Sequence, residues 1–135
     1  MRDLDRATAE ALARAARRAR RFAYAPYSRF RVGAAVLDEH GRIHTGCNVE
    51  CGSYGLCNCA ERVAIQKAVS EGARRVVAVA VAGPDAREVT PCGACRQLMA
   101  EFRTQFVILT RGGRLRVFSF REFLPRAFRS PKERG

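Results

Sequence analysis

Two short segments of this 135-residue sequence concentrate the groups able to do chemistry: Cys57-Asn58-Cys59-Ala60-Glu61-Arg62 and Pro91-Cys92-Gly93-Ala94-Cys95. Cys92 and Cys95 stand three apart, so on one helical turn both sulfurs can face one ion. Each segment lies where a helix begins, and the unpaired N–H groups and dipole of a helix N-terminus favour thiolate over thiol. A third sulfur, from Cys59, completes a ligand set for one Zn2+ per chain. Three protein ligands leave a fourth tetrahedral position for water, which marks a catalytic zinc, whereas four ligands close a structural one. Glu61, two residues after Cys59, places a carboxylate where it can exchange protons with such a water. The competing arrangement makes Cys57 the fourth ligand in a closed Cys-x-Cys and Cys-x-x-Cys clamp, in which Glu61 would have no use.

The three-cysteine form of the zinc deaminase signature, a glutamate just after the first ligand and then P-C-x-x-C, has this pattern. Three thiolates leave Zn2+ with a formal charge of −1 and make it a poorer Lewis acid than a site with a neutral ligand. Arg62, next to Glu61, is the natural group to withdraw charge by bonding to a ligating sulfur. Arg96 either shares that task or makes an outward salt bridge. His40 and His44 lie in no metal-binding motif and read as surface or strand histidines.

The elements that must position these groups follow from periodicity. Residues 3–23 form an amphipathic helix, with Leu4, Ala7, Ala11, Leu12, Ala15, Ala19, Phe22 and Ala23 on its apolar side and Pro26 ending it. Residues 31–37 and 42–49 are β-rich runs around the turn Asp38 to Gly41, a hairpin pattern. A helix from about Cys59 to Glu71 stops at Gly72. The almost continuously apolar Val76–Ala82 suits a strand buried on both faces. Pro91 introduces a short helix, Gly93–Phe102, followed by strands Phe106–Thr110 and Leu115–Phe120 around Gly112-Gly113. A frayed tail is expected from Ser130. This alternation predicts one α/β domain over residues 1–135, with a mixed sheet of about five strands.

Composition narrows the function classes. Apolar residues make up 47% and charged residues 28% of the chain, as in globular proteins. No apolar run approaches the roughly 20 residues that span a bilayer. Met1 leads into a charged, alanine-rich stretch with no signal-peptide core, so a cytoplasmic location is expected. There, six cysteines suit metal binding better than disulfides. The net charge of +12 sits at the two ends. Residues 1–31 carry nine Arg against three acids, residues 103–135 nine basic groups against two acids, and residues 32–102 seven against eight. A charge run of this kind is ordinarily a solvated surface, and a nucleic-acid partner is not expected from it.

Beyond the metal-binding segments, the sequence resembles the small homotetrameric cytidine deaminases over nearly its whole length. The stretches that carry the resemblance are Tyr24 to Ala35, Gly46-Cys47-Asn48-Val49-Glu50, Cys57 to Arg62, Pro91 to Gln97, and Leu124 to Phe128. The resemblance implies a three-layer α/β/α fold, pyrimidine salvage as the role, and a homo-oligomer, a tetramer in that family. It assigns Asn48 and Glu50 to the ribose hydroxyls, Phe30 to packing on the pyrimidine, and Tyr54 and Ala60 to the nucleoside pocket. Phe128 would reach a neighbouring subunit's pocket. After Glu50 the family usually shows Asn-Ala, where this chain has Cys51-Gly52.

The reaction so implied is hydrolysis of cytidine and deoxycytidine to uridine and deoxyuridine plus ammonia. Zinc lowers the pKa of its water, Glu61 takes the proton, the hydroxide attacks C4, and Glu61 returns protons to N3 and to the departing amino group. Three other readings fit parts of the sequence: a deaminase for another cytosine-like compound, an RNA- or DNA-editing deaminase, and a non-catalytic zinc-stabilised binding module. Asn48 and Glu50 favour a ribose, the short chain disfavours a strand-binding enzyme, and ammonia release from cytidine separates an enzyme from a module.

Overall fold

The structure is a computed structural model describing residues 3–131. Its first helix, α1, spans Arg6–Arg20 and is capped by Asp5, whose carboxylate accepts the Ala7 N–H at 3.0 Å. Arg17, Arg18 and Arg20 occupy the last turn, where cations suit the negative end of the helix dipole. The inner face is almost all alanine around Leu12, so the helix lies close to the sheet. Where it crosses the first strand, β1 (Gly33–Asp38), a Cβ on Gly33 would overlap the Ala16 carbonyl.

The helix is shorter than its apolar pattern. The pattern runs on through Phe22 and Ala23, but Tyr24 leaves the helix and bridges Val49, donating its N–H to the Asn48 carbonyl at 3.0 Å. Phe22 consequently points outward and is 73% exposed. The hairpin forms as expected between β1 and β2 (Ile43–Cys47), with Gly41 at φ +83 in the turn. Asp38 organises that turn, accepting the N–H groups of His40 at 2.8 Å and Arg42 at 2.9 Å.

Helix α2 (Ala60–Ser70), strand β3 (Val76–Ala82), helix α3 (Gly93–Glu101) and strands β4 (Phe106–Arg111) and β5 (Arg114–Ser119) complete the order. The sheet is β2-β1-β3-β4-β5. Only β3 and β4 run parallel; the other neighbours are antiparallel, so the sheet is mixed. One face packs Ala35, Ala78, Ala80, Phe106 and Ile108 under α1. The other packs Val36, Val79, Val81, Val107 and Leu109 under α2 and α3, with Ile65 and Met99. The result is the expected three-layer α/β/α arrangement. The residues of the frayed-tail expectation beyond Pro131 lie outside the described residues.

Candidate metal centre and active site

Two helix starts meet at the site. Cys59 is the N-cap of α2 and Cys92 the N-cap of α3, where its sulfur accepts the Cys95 N–H at 3.4 Å. The first turn of α2 is brought against β2 by Gly46: a Cβ there would stand 2.5 Å from Ala64 N and 2.7 Å from Ala60 O. The sulfurs of Cys59, Cys92 and Cys95 all lie within 4.8 Å of one another. The Cys59 and Cys92 sulfurs are 3.7 Å apart. With Zn–S bonds of about 2.3 Å, the edge of a tetrahedron is about 3.8 Å, so this spacing fits zinc with little movement.

Cys57 is elsewhere. Its sulfur accepts the Cys51 N–H at 3.2 Å and faces the Cys51 carbonyl at 3.4 Å, outside the three-sulfur group. The backbone of Cys51 therefore holds Cys57 within the loop 51–57, and beside it a Cβ on Gly52 would stand 3.1 Å from the Tyr27 hydroxyl. Within the cluster, the hydrogen bond from Cys95 above all, helped by Arg62 and Cys92 against the cost of burial, holds the Cys59 thiol down to about 5. The same bond, together with burial, pushes Cys95 up.

Glu61 is buried at the floor of a cavity of about 240 Å3, which Cys59, Ala60 and Cys92 also line. Burial, with the nearby Cys59 charge adding to it, pushes the Glu61 carboxyl up to about 7 although its own N–H and Arg62 oppose the shift. A carboxyl so placed can both take up and give up a proton near neutral pH. Phe30, Asn48 and Glu50 line the same cavity.

The polar side chains there are tightly placed. Asn48 accepts the Val32 N–H at 2.9 Å and donates to the Phe30 carbonyl at 2.7 Å. Glu50 accepts the N–H groups of Tyr27 at 3.0 Å and Ser28 at 3.1 Å, and the Ser28 hydroxyl as well. These donors, the Ser28 hydroxyl first, hold the Glu50 carboxyl below its usual range. Ser28 also accepts the Phe30 N–H at 3.0 Å, so one hydroxyl fixes two cavity residues. Ser28, Val32, Val89 and Thr90 line the cavity without having been singled out from the sequence. Ser28 stood inside the stretch from Tyr24 to Ala35, but nothing in a lone hydroxyl announces its partner.

Tyr54 and Phe128 do not reach this cavity within the chain. Tyr54 is exposed and sits edge-on to Tyr27, with ring centroids 6.3 Å apart. Phe128 is 70% exposed. Arg62 lies close enough for the contact its position suggested, approaching the Cys59 sulfur at 3.8 Å. Arg96 does neither of the things expected of it: it donates to the Pro91 carbonyl at 2.7 Å and the Phe123 carbonyl at 2.9 Å, tying the segment before Cys92 to the C-terminal region. His44 is a strand residue, buried between Asp38 at 2.8 Å and Glu71 at 2.9 Å.

Residues 6–110 match the family model of the cytidine and deoxycytidylate deaminase zinc-binding region. The chain belongs to this family. It is 51% identical over 113 residues to a cytidine deaminase of Halalkalibacterium halodurans, a match covering 82% of this chain and 86% of that protein. Among solved structures it is similar to the cytidine deaminase of Burkholderia pseudomallei, with 50% identity and a TM-score of 0.81 over 87% of this chain and 97% of that one. It is also similar to the Mycobacterium tuberculosis enzyme, with 39% identity and a TM-score of 0.78 over 95% of this chain and 100% of that one. The family is one of zinc-dependent hydrolases, and the Cys59, Cys92 and Cys95 cluster of this chain suits one zinc. Among the described residues, no helix is long and apolar enough to cross a membrane.

Proposed function

We propose that this chain deaminates cytidine and deoxycytidine to uridine and deoxyuridine, using Glu61 as the proton shuttle. The observation that carries the reading is the buried Glu61 carboxyl, which shares one cavity with two sulfurs of the cluster and with Phe30, Asn48 and Glu50. Cys59, Cys92 and Cys95 would hold zinc, which when bound supplies the Lewis acidity that makes water a nucleophile near neutral pH. Phe30 offers its ring to the pyrimidine, while the spare hydrogen-bonding capacity of Asn48 and the ionised Glu50 meets the sugar hydroxyls. Ala60, at the start of α2, closes the floor beside Glu61. Glu61 takes a proton from the water that adds to C4 and delivers it to N3, then takes the remaining proton of the new C4 hydroxyl and passes it to the amino group, so that the C4–N bond breaks, ammonia departs, C4 becomes a carbonyl and the carboxylate is restored. Arg62 draws charge from Cys59.

The chain acts as one domain over residues 1–135 and assembles as a homo-oligomer, a tetramer by its relatedness to the small deaminases. What supports assembly is that Tyr54 and Phe128 are both exposed and both away from the cavity of their own chain, where a neighbour can use them. The six cysteines are all unpaired, which suits the cytoplasm. The substrate is a free nucleoside and not a nucleic-acid strand. Ammonia release from a panel of nucleosides and from single-stranded oligonucleotides tests this. Turnover of cytidine and deoxycytidine with none on the oligonucleotides is expected; release from oligonucleotides, or none from any nucleoside, overturns the reading.

A further inference from the structure

One wall of the cavity is made by a connection with no regular structure of its own, the segment from Gly83 to Pro91 between β3 and α3. It supplies Val89 and Thr90 to the lining. Its successive side chains go different ways. Arg87 lays its guanidinium over the Phe30 ring, 5.2 Å from the centroid. Val89 turns inward and packs so closely on Gly83 that a Cβ there would overlap it. Glu88 turns outward and receives two hydrogen bonds from Arg116, from Nε at 2.7 Å and from the terminal nitrogen at 2.6 Å.

Arg116 belongs to β5, the far edge of the sheet, where it pairs in register with Leu109. It touches nothing in the cavity. Its guanidinium is 4.9 Å from the centroid of Phe118, which holds the side chain ready for Glu88. The Arg116 charge, first through the hydrogen bonds and then through space with Arg111 adding to it, keeps the Glu88 carboxyl below its usual range. Most surface ion pairs contribute little, because two long side chains must be ordered in water. This one differs in being two-pronged, in having one partner held on a strand and stacked, and in joining a strand to a loop with no regular structure.

We propose that Arg116 is a positioning residue for nucleoside binding: through Glu88 it fixes the 83–91 connection so that Val89 and Thr90 stay in the cavity wall and Arg87 stays over Phe30. The proposal rests on the nucleoside deaminase reading above. It reaches Arg116, a residue outside the stretches that carry the family resemblance and absent from the cavity lining.

The test compares Arg116→Gln, Glu88→Gln and the double variant with the unaltered protein, measuring cytidine kinetics, zinc content and hydrogen exchange over residues 85–90. Each single variant is expected to raise KM about fivefold with kcat nearly unchanged, and the double variant to cost no more than either single one, as for partners in one interaction. Amide exchange over 85–90 quickens in all three while zinc content stays at the wild-type level. Unchanged KM, additive effects, or unchanged exchange in variants of an active enzyme overturns the proposal. Absence of cytidine turnover in the unaltered protein would instead show that the assigned reaction is wrong.

Discussion

The Arg62 guanidinium approaches the sulfur of Cys59, one turn back along α2, at 3.8 Å and donates to the Cys57 carbonyl at 3.3 Å. The arrangement brings positive charge to a sulfur of the cluster that would hold zinc, whose donors would then all be anionic. Replacing Arg62 by Gln removes the charge and keeps a polar head. Turnover is expected to fall about tenfold or more, with the circular dichroism spectrum unchanged. An unaltered kcat would remove the charge-offset role.

The cysteines divide into two groups by what their sulfurs touch. Cys59, Cys92 and Cys95 face one another, whereas Cys57 is engaged by the backbone of Cys51. Metal analysis should therefore find about one zinc per chain in the wild type and in Cys57→Ala, and little in any alanine variant of the other three. Full zinc in Cys59→Ala, or a four-sulfur signature in X-ray absorption, contradicts the open site.

Glu61 is the buried acid of the cavity, and its removal separates chemistry from binding. Glu61→Gln keeps a hydrogen-bonding group of the same size but cannot carry protons. Zinc content and affinity for uridine should persist while kcat drops by about a hundred- to ten-thousand-fold, the usual worth of a positioned general acid–base. Near-normal turnover would reassign the proton shuttle.

Much of this site could be read from residue types because its spacing is local. Cys92 and Cys95 share a helical turn, and Cys59 and Glu61 are two residues apart, so the chemistry is written in short range. Strand β3 was equally legible, since Val76–Ala82 is apolar on both faces and both faces are covered. The end of α1 was not, because the contact that stops it, Tyr24 with Val49, is long-range and leaves no mark on the helical pattern. The same holds for strand order, for Ser28 beneath Glu50, and for Arg116 beside Glu88: each depends on a partner more than twenty residues away. Arg96 misled because an arginine beside a metal motif suggests charge, whereas here its donors serve two backbone carbonyls.

Asp38 gives the hairpin a titratable lock. Burial pushes its carboxyl up, but His44, the N–H groups of Arg42 and His40, and the Arg42 charge together outweigh this and lower it from the usual 3.8 to about 2. A carboxyl lowered in the folded state stabilises the fold above its unfolded value and loses that contribution as pH falls through the folded one. Denaturant midpoints should therefore decline between about pH 4 and pH 2, and Asp38→Asn should be less stable at neutral pH with a flatter profile over that window. A wild-type profile no steeper than that of Asp38→Asn would rule out the lock.

Phe128 offers the clearest test of assembly. Gln97 donates to its carbonyl at 2.9 Å, which holds the C-terminal segment against α3 while the ring itself stands 70% exposed. An exposed ring held on an ordered backbone contributes nothing to its own chain's core, so Phe128→Ala should leave the unfolding temperature of the isolated chain nearly unchanged. If the ring completes the cavity of a neighbour, the same variant should raise KM for cytidine about tenfold, the loss of one buried aromatic contact. Light scattering at assay concentration supplies the second arm, with a particle of several chains expected. A fully active monomer, or a Phe128→Ala enzyme with unaltered KM, would mean that each chain builds its site alone.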